Sequence, residues 1–156
     1  MSIPDPSFNQ AVLNITAQFL PQGFDVSLDA PSTYQRLKAH VARTGRLLVF
    51  GGASDRTIYG DPAVNHAFRA WHDFCHLEGG FDTSFVGEVA TCRLQTRQLL
   101  TKYGDSDRTW RWQKLVEAGI VGQARHFERH GRFPVDQVAF VQANLRDPVA
   151  SLHTPY

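Results

Sequence analysis

The chain reads as a predominantly helical α+β protein, in which an antiparallel helical hairpin accompanies a small two-stranded element. Three observations carry that expectation. Helix caps and helix stops bracket a series of helix-length stretches along the whole sequence. Only two short runs, Phe24 to Leu28 and Arg46 to Phe50, have strand character. At 156 residues, with 42% hydrophobic and 20% charged positions, the chain has the size and composition of one globular domain that buries a real core. The expected domain is therefore 1–156, with irregular ends over 1–6 and 146–156.

The elements follow in order. A helix is expected from about Ser7 to Leu20, closed by Pro21-Gln22-Gly23, and then the first strand. Pro31-Ser32-Thr33 starts a second helix and Gly45 stops it. The second strand, Arg46-Leu47-Leu48-Val49-Phe50, ends at Gly51-Gly52, and the two strands are expected to pair. The loop from Ala53 to Pro62 carries Ser54, Asp55, Arg56, Tyr59 and Asp61 and delivers the chain to a helix over 63–78. Gly79-Gly80-Phe81-Asp82-Thr83 combines a helix stop with a polar cap, so a helix over 84–103 should fold back on the one before it. After Gly104-Asp105-Ser106-Asp107, one long helix is expected from about Asp107 to His130, ended by Gly131 and Pro134. A last helix covers about Val135 to Asn144, and a proline-containing tail completes the chain.

The hairpin holds the residues that point to chemistry. His72 and His76 form an i,i+4 pair in HDxxH, which stacks two imidazoles on one helix face, close enough to chelate one divalent ion. Glu88 is the third candidate ligand. His76 lies about half a turn before the end of the first helix and Glu88 about one turn into the second, so the hairpin brings them to similar heights. At about 100° per residue, Asn65, Arg69, His72 and His76 fall within roughly 60° of one another, whereas Val64, Ala67, Phe68, Trp71, Phe74 and Cys75 take the opposite side. A solvent face would more often carry Lys, Glu, Gln and Ser. The specialised face has none of these.

A zinc ion with three protein ligands keeps a fourth position for water and lowers the pKa of that water to about 7, which makes hydrolysis its natural use. Asp73 follows the first His, where zincin peptidases place a glutamate base, and is expected either as general base or as a hydrogen-bond partner of a ligand. Arg69 and Asn65 would hold a substrate anion or a developing oxyanion, unless Arg69 instead pairs with Asp73 at i+4. Tyr59 and Tyr103 are further electrophilic candidates. Two alternatives stay open. An HD-type nucleotide phosphohydrolase would use His40, His72-Asp73 and Asp136, which occur in the right order. A closed site, completed by Cys92, His66 or Asp73, would make the protein a metal-stabilised binding module acting on a host factor.

Composition narrows the partners. The formal net charge of +1 argues against a polyanion-coating protein, and Asp107, Glu117 and Glu128 interrupt the late basic residues Arg108, Arg111, Lys114, Arg125, Arg129 and Arg132. The i,i+4 pair His126 and His130 sits among those arginines, as expected of a solvated face. Two cysteines, Cys75 and Cys92, make no disulfide framework. The first residues lack a basic stretch followed by an apolar run, and no segment approaches a membrane span, so a cytoplasmic protein without a membrane partner is expected.

The run NxxFRAxHD, followed by a His, a Phe-rich turn and a Glu that opens a helix, resembles metallopeptidase-like domains of phage and conjugative-element proteins, including large polyvalent proteins. The resemblance covers Asn65 to about Gln98 and extends to Gly122-Gln123 and to Phe133-Pro134-Val135-Asp136-Gln137, which match a GQ and an FPxxQ element. Many members carry HDxxGH where this chain has HDFCH, one residue shorter. The resemblance implies His72, His76 and Glu88 as metal ligands, and a phage or mobile-element origin that would place the protein in a host cytoplasm.

Overall fold

A computed structural model describes residues 2–156. Helix α1, Pro6–Phe19, starts where Asp5 accepts hydrogen bonds from the Ser7 and Phe8 amides, with proline in the first turn. Its buried residues Phe8, Ala11, Val12, Ile15 and Thr16 follow helical spacing and form one inward stripe. Strands β1, Asp25–Ser27, and β2, Leu48–Phe50, pair in parallel, with Asp25 opposite Leu48 and Ser27 opposite Phe50. The parallel sense follows from helix α2, Tyr34–Thr44, which lies between them and supplies the crossover that parallel strands require. Thr33 caps α2 and left-handed Gly45 ends it. Arg46 ties the sheet by an ion pair to Asp25 at 2.9 Å.

Helix α3, Pro62–Gly79, is the centre of the fold and packs against both α1 and α4, Phe85–Tyr103. Asp61 caps it, Pro62 opens it, and Gly80 at φ 66° turns the chain out of it. The expected antiparallel hairpin forms. Its register is visible in three side-chain pairs that run in opposite directions along the two helices: Trp71 with Gln98 at 2.7 Å, His72 with Gln95 at 2.9 Å, and His76 with Thr91 at 3.2 Å. Trp71 is fully buried, while Phe74 is partly buried and stacks on Phe19 with ring centroids 5.0 Å apart. One apolar cluster joins Phe8 and Ile15 of α1, Trp71 of α3, Leu99 of α4 and residues further along the chain.

The expected long helix from Asp107 to His130 is instead three segments. Helix α5, Asp107–Glu117, passes into a π-helical turn, Ala118–Gly122, and then into α6, Gln123–His130. The glycines of the Ala118-Gly119-Ile120-Val121-Gly122 run weaken the regular helix. Gly122 also lets the backbone approach the Asn144 side chain, where even a methyl group would sit 3.2 Å from the Asn144 amide. Helix α7, Gln137–Arg146, begins two residues later than expected and is capped by Asp136. The tail is more ordered than a proline-containing segment suggests. It forms a 3₁₀ turn over Ala150–His153, buries Ser151, and returns the Tyr156 carbonyl to the Val135 amide at 2.7 Å. No helix among the described residues is long and apolar enough to cross a membrane.

Candidate metal centre

His72, His76 and Glu88 meet at one point. The two Nε2 atoms lie 3.0 Å apart. Glu88 spans both rings, with Oε2 3.1 Å from His72 Nε2 and Oε1 3.5 Å from His76 Nε2. One ligand atom from each residue lies within 4.8 Å of the other two, so this group could hold a metal ion. The spacing suits a small tetrahedral ion. With bonds of about 2.0 to 2.1 Å to nitrogen and oxygen, the edge of a zinc tetrahedron is about 3.3 Å, close to the separations seen.

The second nitrogen of each ring fixes how the first is presented. His76 Nδ1 lies 2.9 Å from the Phe81 carbonyl, which can only accept, so Nδ1 carries the proton and Nε2 offers a lone pair. Gln95 Oε1 does the same for His72 Nδ1 at 2.9 Å. Two lone pairs and a carboxylate thus converge on one point, which attracts a single positive charge, either a shared proton or a metal ion. Outer partners that lock the tautomer in this way are a regular feature of histidine metal sites. Burial pushes the Glu88 carboxyl up, but hydrogen bonds and charge from His72 and His76 outweigh it and hold the group down at about 2. Burial works against the charged form of His72, yet Glu88 raises it overall.

Local sequence places these atoms. Gly87 brings the first turn of α4 against the Asp82 carbonyl, so close that a Cβ there would lie 1.9 Å from the oxygen. Ser84 caps α4 by accepting from the Gly87 amide at 3.1 Å. Glu88 is then fixed one turn into the helix, level with His76.

The centre opens into a cavity of about 660 Å³ whose wall includes His72, Glu88 and Asp73, while His76 is buried at only 2% exposure. Asp73 is partly buried, and its carboxyl is raised to about 6 by burial, against the pull of His72 and His76. Asn65 and Tyr59 also line the cavity. Burial pushes the Tyr59 phenol well up. Tyr103 lies elsewhere, with its ring edge-on to Trp112 at 5.1 Å.

Arg69 lines the cavity and is engaged by the loop after β2. Its guanidinium donates to the carbonyls of Phe50 and Gly52 and reaches Ser54 Oγ at 3.3 Å and the Ala53 carbonyl at 3.4 Å. It forms no ion pair with Asp73. Asn65 Nδ2 and His66 Nε2 bind the same Ser54 hydroxyl at 3.0 and 3.1 Å. Together these three side chains clamp the loop after β2 onto α3. The Ser54 hub was hidden in the sequence, because a buried serine in a polar loop looks like any other loop serine.

Of the other candidates, His40 lies on α2 beside Arg43, and Asp136 caps α7 by accepting from the Ala139 amide at 3.0 Å. Neither joins the His72 group. Cys92 is buried with its thiol pushed up to about 12, chiefly by burial, and His66 and Asp73 also stand outside the ligand set. The group that could hold an ion therefore comprises three residues among those described. The His126 and His130 pair is not a plain solvated face either. His126 is fully buried and bonds the Arg132 carbonyl at 2.9 Å, and His130 bonds the Leu152 carbonyl at 2.8 Å. Gln123, Phe133 and Gln137, from the GQ and FPxxQ stretches, line the same cavity as His72 and Glu88 although they lie far along the chain.

The fold and the site define a small, predominantly helical α+β protein with a His-His-Glu group suited to a metal ion. Comparison with known protein families, curated proteins and solved structures finds no match for this chain.

Proposed function

We propose that the protein is a metal-dependent hydrolase of the zincin type, using zinc or a similar divalent ion held by His72, His76 and Glu88. One observation carries the reading: three ligand atoms, and not four, converge at the wall of a cavity large enough for a small substrate. A divalent ion with an open position supplies Lewis acidity and a water acidified to about pKa 7.

The protein's own residues supply the rest. Gln95 and the Phe81 carbonyl hold the two imidazoles in the ligating tautomer. Asp73 follows His72 directly and lines the same cavity as His72 and Glu88, and is the group suited to take a proton and return it. Asn65 belongs to the loop clamp and also faces the cavity, so it positions the Phe50–Ser54 edge beside a bound substrate. The likeness to metallopeptidase-like domains supports the same chemistry.

The test combines metal content with turnover. Panels of peptide and phosphoester substrates are screened with Zn, Mn and Mg, and Asp73→Asn should lose most turnover while retaining stoichiometric metal. A metal-loaded protein with four protein ligands by X-ray absorption and no turnover would replace this reading with a metal-stabilised binding module.

A further inference from the structure

We infer that the cavity above the His72, His76 and Glu88 group takes an uncharged acyl substrate with a large apolar side group, preferably aromatic, seated against Phe127 and Phe133. This rests on the hydrolase reading above and adds the substrate class to it.

Charge sets the first limit. Arg69 carries the only fixed positive charge among the described residues that line the cavity, and its guanidinium is already engaged with loop carbonyls. Asp73, Glu88 and Glu128 line the same space. With Glu88 engaged on the ion, a phosphate dianion would still meet the carboxyl groups of Asp73 and Glu128 and no free guanidinium or ammonium group, so nothing on this wall beyond the ion would hold it. An amide or ester has no such conflict. Gln123 and Gln137, whose side-chain amides bond to none of the other described residues, offer neutral donors and acceptors that match it.

The apolar wall sets the second limit. Phe127 and Phe133 are about half exposed, at 45% and 57%, and their rings lie 4.9 Å apart. Phe50, at the end of β2, is also 45% exposed and lines the same cavity. Isolated exposed apolar residues are ordinary on a protein surface, as Leu28, Val86 and Val149 are here. The paired rings of Phe127 and Phe133, with Phe50 on the wall of the same cavity, leave apolar surface that a ligand would cover. A substrate whose carbonyl approaches His72 and Glu88 shares its cavity with these rings, against which burial of a phenyl group is favourable.

The probes are acetohydroxamic acid and phenylacetohydroxamic acid, which share one metal-chelating head and differ in the phenyl group, titrated by calorimetry into the zinc-loaded protein. The phenyl compound should bind about tenfold or more tightly. Combining Phe127→Ala with Phe133→Ala should erase that difference while zinc content and acetohydroxamate affinity stay unchanged. Equal affinity of the two probes for the wild type, or a difference that survives in the double variant, overturns the inference and leaves the metal reading intact. Tighter binding of phenyl phosphate than of phenylacetohydroxamic acid overturns it as well. Failure of zinc itself to bind brings down both readings.

Discussion

Replacing Glu88 with Gln keeps the shape of the side chain and removes the charge that joins the two imidazoles, so it isolates the contribution of the third ligand. A ligand that binds only the folded state, at a free concentration 100 times its Kd, stabilises that state by about 2.7 kcal/mol. For a domain of this length each kcal/mol moves the melting temperature by about 2 to 4 °C, so zinc should raise it by about 5 to 11 °C. Loss of an outer partner of a metal ligand alone weakens binding by about 10- to 100-fold, and loss of Glu88 itself should reach at least the upper figure. At the same zinc concentration the variant would then be only half saturated. The remaining stabilisation is about 0.4 kcal/mol, or about 1 to 2 °C. The measurement is a thermal melt of each protein against its own chelator-treated form, which cancels any effect of the substitution on the metal-free protein. His72→Ala should remove the shift outright. If Glu88→Gln melts with the full wild-type increase, Glu88 is not a ligand and the convergence of the three side chains has another cause.

Three further outcomes follow from the structure. Trp71→Ala should destabilise by about 3 to 5 kcal/mol in urea melts, because a fully buried indole is lost and Gln98 Oε1 keeps only the weaker Cys75 thiol as donor; a loss below about 1 kcal/mol would mean that α3 does not present this face to the core. Gly to Ala inside a helix normally stabilises by up to about 1 kcal/mol, but Gly87→Ala should instead destabilise, by about 1 to 3 kcal/mol, and weaken zinc binding, since the new methyl collides with the Asp82 carbonyl. The pH dependence should change sign with metal. His72 and Asp73 are raised in the folded protein, so the stability they contribute is present at low pH and lost as pH rises through their folded values, about 6 for Asp73. Glu88 is lowered, and its contribution is present above the ordinary 4.5 and lost as pH falls towards about 2. Chelated protein should therefore lose stability from about pH 4 to pH 6 through Asp73 and further as pH rises above 6.5 through His72, whereas the zinc-dependent increment should grow with pH because the metal competes with protons for its ligands. Parallel melting curves with and without zinc would contradict this.

The hairpin, and the meeting of His72, His76 and Glu88, were legible in residue type and spacing alone. An i,i+4 pair on a helix must share a face, and the Gly79-Gly80 stop followed by Ser84 leaves the chain little choice but to return alongside. The apolar stripe through Trp71 then decides by periodicity which face turns inward. These are local consequences of backbone geometry, legible wherever residue type and spacing are known. Spacing did not reveal that Arg69, which shares the stripe of His72, turns its guanidinium to the carbonyls of Phe50, Gly52 and Ala53. It also missed the π-helical turn at Ala118–Gly122 and the packing of the C-terminal tail. In each case the deciding contact lies far along the chain: β2 for Arg69, Asn144 for Gly122, Val135 for Tyr156. Periodicity fixes the direction in which a side chain leaves its helix. What a long, flexible donor or an unsatisfied carbonyl finds there depends on which distant segment packs opposite, and only the tertiary structure decides that.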